Sequence, residues 1–324
     1  MNPIRLLNMG MINSIETQSA YHAVAELMDD TTVDTIIINR AESPYICVGF
    51  HQSTDSIIDR DECEKRGLPI VRRKLGGGTT YMDENQLLYQ SIFHRNALPG
   101  KFSRIYSMML SAPVETLKEF GFSAQLKGVN EIEVDGKRIA GTGGGQIGEA
   151  SVVVGNFLFD FDFEAMTSLW KTPWDSFLPL ADKAIRDRIT TIWEHDESIK
   201  IEDVTSKLIE RFSIAFDRPL EEGELSSAES ALSKELVDKL TSEEFVYEFE
   251  NSKERYEPLK ISADVFVHAE ESNIGENSYR GCFVSTDNRI GDSIIEQYNG
   301  SVWEQISLEI RGLPASAWNR ELTA

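Results

Sequence analysis

Apolar and polar positions alternate along the chain in two periods, and they divide it into helical and extended stretches. Over 14–28, Ser14 is a candidate N-cap with Thr17 and Gln18 in the first turn, and Tyr21, Ala25 and Leu27 supply apolar positions, so the spacing predicts a helix. Short apolar runs with β-branched content at 33–39, 45–50, 68–72 and 87–93 predict strands. A short helix over 59–67 ends at Gly67, and a longer one over 105–120 ends at Gly121. Residues 131–140, EIEVDGKRIA, carry a hairpin signal, with Asp135-Gly136 between two runs of period-two alternation. In that register Val134 faces Lys137, Glu133 faces Arg138 and Glu131 faces Ala140. From 152 to 163, Phe157, Phe159, Phe161 and Phe163 alternate with Leu158, Asp160 and Asp162, which predicts a half-buried strand with the phenylalanines on its core face.

Past about residue 193 the composition changes. Acidic amphipathic helices are predicted over 203–216 and 227–240, joined by a polar stretch at 219–226. Strand patterns return at 259–267, 278–285 and 293–298, and a last helix is predicted over 301–310. Strands mixed with helices in this way give an α+β fold with a mixed (α/β-like) sheet. The 324 residues suit one large and one small domain, and the boundary is expected near residue 250, separating 1–250 from 251–324.

Composition narrows the function. The 41% hydrophobic fraction sustains a core and the 27% charged fraction is ordinary. No run of 18 or more apolar residues is present, and the first residues lack the pattern of a signal peptide. Cys47, Cys63 and Cys282 are too few and too scattered for a disulfide framework or a zinc site, so reduced thiols and a cytoplasmic location are expected, with no membrane partner. Cys47, inside an apolar strand, reads as a buried thiol rather than an acyl-carrying nucleophile. A net charge of −22 argues against a nucleic-acid partner but not against a small anionic substrate, which feels local charge. On so acidic a background the cluster Arg72-Arg73-Lys74 stands out.

That cluster opens the segment 72–81, RRKLGGGTTY. Three consecutive glycines, Gly76, Gly77 and Gly78, expose backbone N–H groups and let the chain pass close to a ligand; beside cations they suit a phosphate or a mixed anhydride. The spacing is not that of a Walker A loop. A flexible surface loop with solvated charges is the alternative. The second segment is 127–145, KGVNEIEVDGKRIAGTGGG. Alternation places Arg138 with Glu131 and Glu133 on one face, and Lys137 with Ile132, Val134 and Ile139 on the other. Such an acid–base face could hold a metal-bound nucleotide, or form only a cross-strand salt bridge; the glycines Gly141, Gly143, Gly144 and Gly145 favour the former.

Together the two segments resemble the lipoate–protein ligases, within the wider biotin/lipoate ligase superfamily. Arg72-Arg73, Gly76-Gly77-Gly78, Tyr81 and Asp83 match that family's first signature; Gly128, Asn130, Asp135-Gly136 and Ile139-Ala140-Gly141 match its second. YICVGFHQ at 45–52 and VVVGNFLFDFD at 152–162 extend the likeness over roughly residues 1–250, and 279–300 is similar, more weakly, to a small accessory domain. The resemblance implies a biotin/lipoate ligase-like catalytic domain with a small C-terminal α+β accessory domain. It implies that lipoate (or octanoate) is activated with ATP and Mg²⁺ to an acyl-adenylate and passed to a lysine of a lipoyl-domain carrier, of glycine-cleavage H or E2 type. It further implies that Arg72, Arg73, Gly76, Gly77, Gly78, Tyr81, Gly141 and Thr142 hold the acid and adenylate, and that Asn130 and Glu131 lie at the nucleotide, with Glu131 on the metal. Arg138, with Lys137 beside it, takes the catalytic position.

This chain departs from the family at that position, where a lysine normally precedes the aliphatic–small–Gly run. Strand alternation keeps Lys137 from substituting for Arg138 unless a bulge shifts the register. Glu131 stands for the usual Asp, Val129 for a frequent Arg and Met82 for an occasional His. Three readings follow: an ATP-dependent ligase, which leads; an acyltransferase moving lipoyl or octanoyl groups without ATP; and a non-catalytic protein binding a lipoyl carrier or adenylate. Biotin is a weaker alternative acid. Of the five histidines only His51, in GFHQ, attracts attention, and a structural role is expected for it.

Overall fold

Period-two stretches in the first 160 residues fold into two sheets that enclose a helix, in a computed structural model that describes residues 2–249 and 257–323. The chain forms two units. One contains the described residues of 1–51, 67–162 and 189–248; the other contains those of 52–66, 163–188 and 249–324.

The first unit contains β1 (Ile4–Ile12), β2 (Thr35–Ala41), β3 (Tyr45–Val48), β4 (Ile70–Arg72), β5 (Thr80–Met82), β6 (Gln86–His94), β7 (Gln125–Lys127), β8 (Glu131–Val134), β9 (Lys137–Ile147), β10 (Ala150–Leu158) and β11 (Leu220–Glu222). Eight of them make a mixed sheet in the order β11-β1-β2-β6-β10-β9-β8-β7, and three make a small sheet in the order β4-β3-β5. Alternation sorts the residues of the large sheet between two cores. Ile36, Ile38, Leu87, Tyr89 and Phe157 pack against the helices Phe102–Met109, Ser111–Glu119 and Ile201–Phe216 through Tyr106, Leu117, Leu208 and Phe212. On the opposite face Ile37, Ile92 and Val152 meet Tyr21, Val24 and Ala25 of the helix Glu16–Glu26. Leu88, on that same side, meets the small sheet through Tyr45, Cys47, Val71 and Met82, with Leu236 and Leu240 of the helix Ser227–Thr241.

Several expectations are corrected. β1 and β11, which pair in parallel, lie in stretches with no strand signal strong enough to notice. Ser14 does not cap the first helix; its hydroxyl donates to Ser43 O at 2.5 Å. The helix expected over 105–120 is two helices, because Pro113 cannot donate to the Met109 carbonyl and its ring crowds that position. β10 stops at Leu158, so Phe159 and Phe161 are buried beyond its end, Phe163 opens a helix, and Leu158 is buried rather than solvent-facing.

The second unit is built on an antiparallel sheet of β12 (Leu259–Lys260), β13 (Val265–Ile274), β14 (Asn277–Thr286), β15 (Arg289–Tyr298) and β16 (Trp303–Ile306), with the helices Arg60–Arg66, Phe163–Ser168 and Phe177–Arg188. The helix expected over 301–310 is instead β16. Asn299 Oδ1 accepts from Ser301 N and Val302 N, both at 3.0 Å, and Gly300 has φ +96, so the chain reverses and Trp303 pairs with Tyr298. Lipoate-ligase expectations aside, the α+β class with a large mixed sheet is what the chain adopts.

Candidate functional site

The loop after β4 starts from a histidine. His22, fully buried in the helix Glu16–Glu26, bonds Gln18 O through Nδ1 at 2.7 Å and accepts from Lys74 N through Nε2 at 2.9 Å. Accepting at Nε2 fixes a neutral ring protonated at Nδ1. Burial pushes its pKa down to about 3, outweighing the bond to Gln18. Lys74 also bonds Glu26 of that helix, so the entry to the loop is tied at both backbone and side chain.

The two arginines are turned inward. Arg72 is fully buried; Nε and Nη2 donate to Val246 O at 3.0 and 2.5 Å, and Nη1 donates to Phe50 O at 2.7 Å. Arg73 Nη2 donates to Gly78 O at 2.8 Å and Gly76 O at 3.2 Å, while Nη1 reaches Cys47 O and Sγ, each at 3.3 Å. A guanidinium gripping carbonyls on both sides of a triplet holds that triplet in one curve, with its N–H groups left for other partners. The contacts these side chains make within the protein thus brace the loop.

The loop passes very close to two strands. A Cβ on Gly49, just after β3, would stand 2.1 Å from Gly77 O, and one on Gly143 in β9 would stand 2.9 Å from Gly76 O. Gly77 itself has φ +117, in the region that favours glycine. The triplet therefore lies directly on β9. Just beyond it the buried Thr79 hydroxyl has no partner among the described residues, a polar atom that a bound anion's solvation shell or oxygen could satisfy.

The second segment reaches the same strand. Thr142, one residue from Gly143, donates its hydroxyl to Asn130 O. In the hairpin Val134 faces Lys137 and Glu133 faces Arg138 as expected, but Ile132, not Glu131, faces Ala140. Ile139 is an extra residue, a bulge in β9. Arg138 stays on the face of Glu131 and Glu133, as alternation placed it; the bulge brings Gly141 onto that same face, while Lys137 stays paired with Val134. Arg138 Nη1 lies 3.8 Å from Glu131 Oε1, and Lys127 Nζ lies 3.1 Å from Glu133 Oε1; both carboxylates are buried. Lys137 is exposed, and Tyr81 is buried in β5 opposite Ile46.

The structure thus brings together Gly76, Gly77, Gly78, Asn130, Glu131, Arg138, Gly141 and Thr142 along β9, with Arg72 and Arg73 behind the loop and Tyr81 and Lys137 set apart. Sequence reading gave no individual role to His22, Gly49, Gln86 or Asn156, although Gly49 and Asn156 lie in stretches it quoted. The glycine at 49 was the signal for that close approach, because backbone passing near backbone demands glycine. Among the described residues, no group of three or more His, Cys, Asp or Glu side chains could hold a metal, and no helix is long and apolar enough to cross a membrane.

A braced glycine loop laid on a glycine-lined strand, beside a buried carboxylate and a guanidinium, makes a candidate site for a small anion against the sheet. The chain belongs to the family described as "Lipoyl protein ligase A/B catalytic domain", which matches residues 17–213. It is similar to "Lipoate-protein ligase A subunit 1" of Thermoplasma acidophilum, 24% identical over 61% of this chain and 79% of that protein. It is similar to "Lipoate-protein ligase LplJ" of Bacillus subtilis, 28% identical over 51% of this chain and 50% of that protein, so it spans about half that relative's length. "Octanoyltransferase LipM" of Kyrpidia tusciae is 24% identical over 64% of this chain and 84% of its own. The fold is that of the bipartite lipoate protein ligase solved from Thermoplasma acidophilum (TM-score 0.70, 21% identity, 78% of this chain and 99% of that one). It is likewise that of a lipoate-protein ligase A solved with bound ATP (TM-score 0.66, 21% identity, 77% and 100%).

Proposed function

We propose that this protein activates lipoate, or octanoate, with ATP and transfers the acyl group to a lysine of a lipoyl-domain carrier of glycine-cleavage H or E2 type. The observation that carries this reading is the meeting of the glycine triplet and the Asn130–Thr142 contact on one strand, in a chain of this family. The relatives named as lipoate ligases and the ATP-bound and E2-associated neighbours support it.

The chemistry follows from charge. The acid's carboxylate attacks the ATP α-phosphate, pyrophosphate leaves, and the resulting acyl-adenylate is opened by the carrier's lysine with release of AMP. N–H groups of Gly76, Gly77 and Gly78 stabilise the anionic oxygens, and Arg138 neutralises charge that develops between carboxylate and phosphate. Mg²⁺ usually takes one or two carboxylates together with substrate phosphates, which fits a single buried Glu131; it would there offset phosphate charge. Arg72 and Arg73 act through the loop rather than on the substrate. On this reading residues 1–250 carry the catalytic domain and 251–324 the accessory domain, and the protein works in the cytoplasm, where buried Cys47, Cys63 and Cys282 stay reduced.

Mass spectrometry of a lipoyl domain incubated with the protein, ATP, Mg²⁺ and each of lipoate, octanoate and biotin tests the reading. A mass gain with lipoate or octanoate, dependent on ATP, is expected; no gain with any acid sinks it. The relative named as an octanoyltransferase favours a second reading, acyl transfer between carriers without ATP. Acid-dependent ATP–pyrophosphate exchange separates the two, since transfer gives none. Activity that arises only in Arg138→Lys would instead favour a binding role for the natural chain.

A further inference from the structure

One feature of the site face was given no role by the family resemblance, although Asp83 and Asn156 lie in stretches that carry it. Asn156 lies in β10, between Leu88 of β6 and Gly141 of β9. Its Oδ1 accepts from Gly141 N at 3.1 Å, and its Nδ2 donates to Gln86 Oε1 at 2.6 Å. Gln86 Nε2 in turn donates to Tyr81 O at 3.1 Å and Asp83 Oδ1 at 3.3 Å, and Asp83 Oδ1 also accepts from Asn85 N at 3.0 Å. Asp83, Gln86 and Asn156 are all buried.

The direction of every bond is forced. Gly141 N–H can only donate, so Asn156 must present its oxygen there and its NH₂ to Gln86. Gln86 must then turn its own NH₂ to two acceptors. The chain of dipoles runs without conflict from β9 to the Asp83 carboxylate, across three strands. Gly141 fits this arrangement and little else: a Cβ there would stand 2.8 Å from Asn156 Oδ1. The next residue, Thr142, is the one that holds Asn130.

We propose that Asp83, Gln86 and Asn156 form a polarised relay of positioning residues that sets the height and tilt of β9 at Gly141 and Thr142, and through Thr142 the place of Asn130 beside the bound nucleotide. The proposal rests on the functional reading above. None of the three side chains touches the reacting atoms; they act by fixing the backbone that does.

Asn156→Leu preserves the volume but leaves the Gly141 N–H and Gln86 Oε1 without partners. Lipoate-dependent ATP–pyrophosphate exchange is expected to lose roughly tenfold or more in kcat/KM, chiefly through KM for ATP. Asn156→Asp carries a signature that packing alone cannot imitate. Ionised, the new carboxylate accepts from Gly141 but offers Gln86 no proton; protonated, it accepts at one oxygen and donates from the other, reproducing both bonds of the amide. Its activity relative to the parent is therefore expected to rise as pH falls from 8 to 6. A pH-independent ratio, or a leucine variant as active as the parent, overturns the relay. If the parent protein shows no exchange, the functional reading fails separately, and amide hydrogen exchange at Gly141 and Thr142 decides the relay alone: faster exchange in Asn156→Leu supports it, and unchanged exchange overturns it.

Discussion

At the scale of single residues, the site depends on atoms that are absent. Gly49 and Gly143 leave room for the carbonyls of Gly77 and Gly76, and no side chain can occupy that space without moving backbone. Gly143→Ala is expected to push the triplet off β9 and lower kcat/KM by about a hundredfold, with a smaller loss of stability, as steady-state kinetics beside thermal unfolding will show; full activity refutes the close approach. Charge at buried groups sets the pH response. Burial, reinforced by Glu84 and Asp160, raises Asp83 to about 6 against the bonds from Asn85 and Gln86, and His22 is held down near 3. An acid raised in the folded state binds its proton more tightly there, so Asp83 lowers stability by roughly 2–3 kcal/mol as pH climbs from 4 to 6. His22 has the opposite sign: the unfolded chain takes up the proton first, so stability is lost as pH falls from 6.5 toward 3. Asp83→Asn is expected to raise the unfolding midpoint at pH 7 more than at pH 4, measured by calorimetry.

At the scale of elements, the hairpin repays a closer look. The Asp135-Gly136 turn was legible, and Asp135 has φ +50 and Gly136 φ +81 as the turn requires. Simple alternation also put Arg138 with Glu131 and Glu133. What no pattern revealed was the bulge at Ile139, which aligns that group with the glycine face of β9. Deleting Ile139 would restore regular pairing between β8 and β9 with Arg138 still opposite Glu133 and Gly141 opposite Glu131, so both stay on one face. The deletion variant is expected to fold and to keep activity within about tenfold of the parent, as circular dichroism and exchange assays will report; a loss of about a hundredfold would show that the bulge's own kink, beyond the shared face, positions Arg138. The helix expected over 105–120 and the strand expected to run to 163 failed for different reasons: a proline in one, and in the other a phenylalanine run that continues past the last paired residue.

At the scale of the whole molecule, the two units interleave along the chain. The helix Phe177–Arg188 buries Phe177, Leu180, Ala181, Ala184 and Ile185 within the second unit, whose sheet is built entirely from residues beyond 257. A chain cut at residue 250 is therefore expected to expose that apolar face. Its unfolding midpoint should drop by roughly 5 °C or more, with a gain in dye binding to apolar surface; an unchanged midpoint would show that the helix needs no such sheet.

The sequence alone determined what local chemistry determines. Glycine runs, the Asp-Gly turn, the helix periods and the cationic cluster each act over a few residues, so the motifs, the α+β class and most elements could be read from it. The tertiary structure decided what long-range pairing decides. It turned Arg72 and Arg73 inward, where their guanidinium groups donate to the carbonyls at 50, 76, 78 and 246. It laid the triplet on β9 through glycines 49 and 143, and it linked Asp83 to Gly141 across three strands. A side chain's chemical type is written in the sequence, but the partner that satisfies it is set by which backbone groups folding has removed from water.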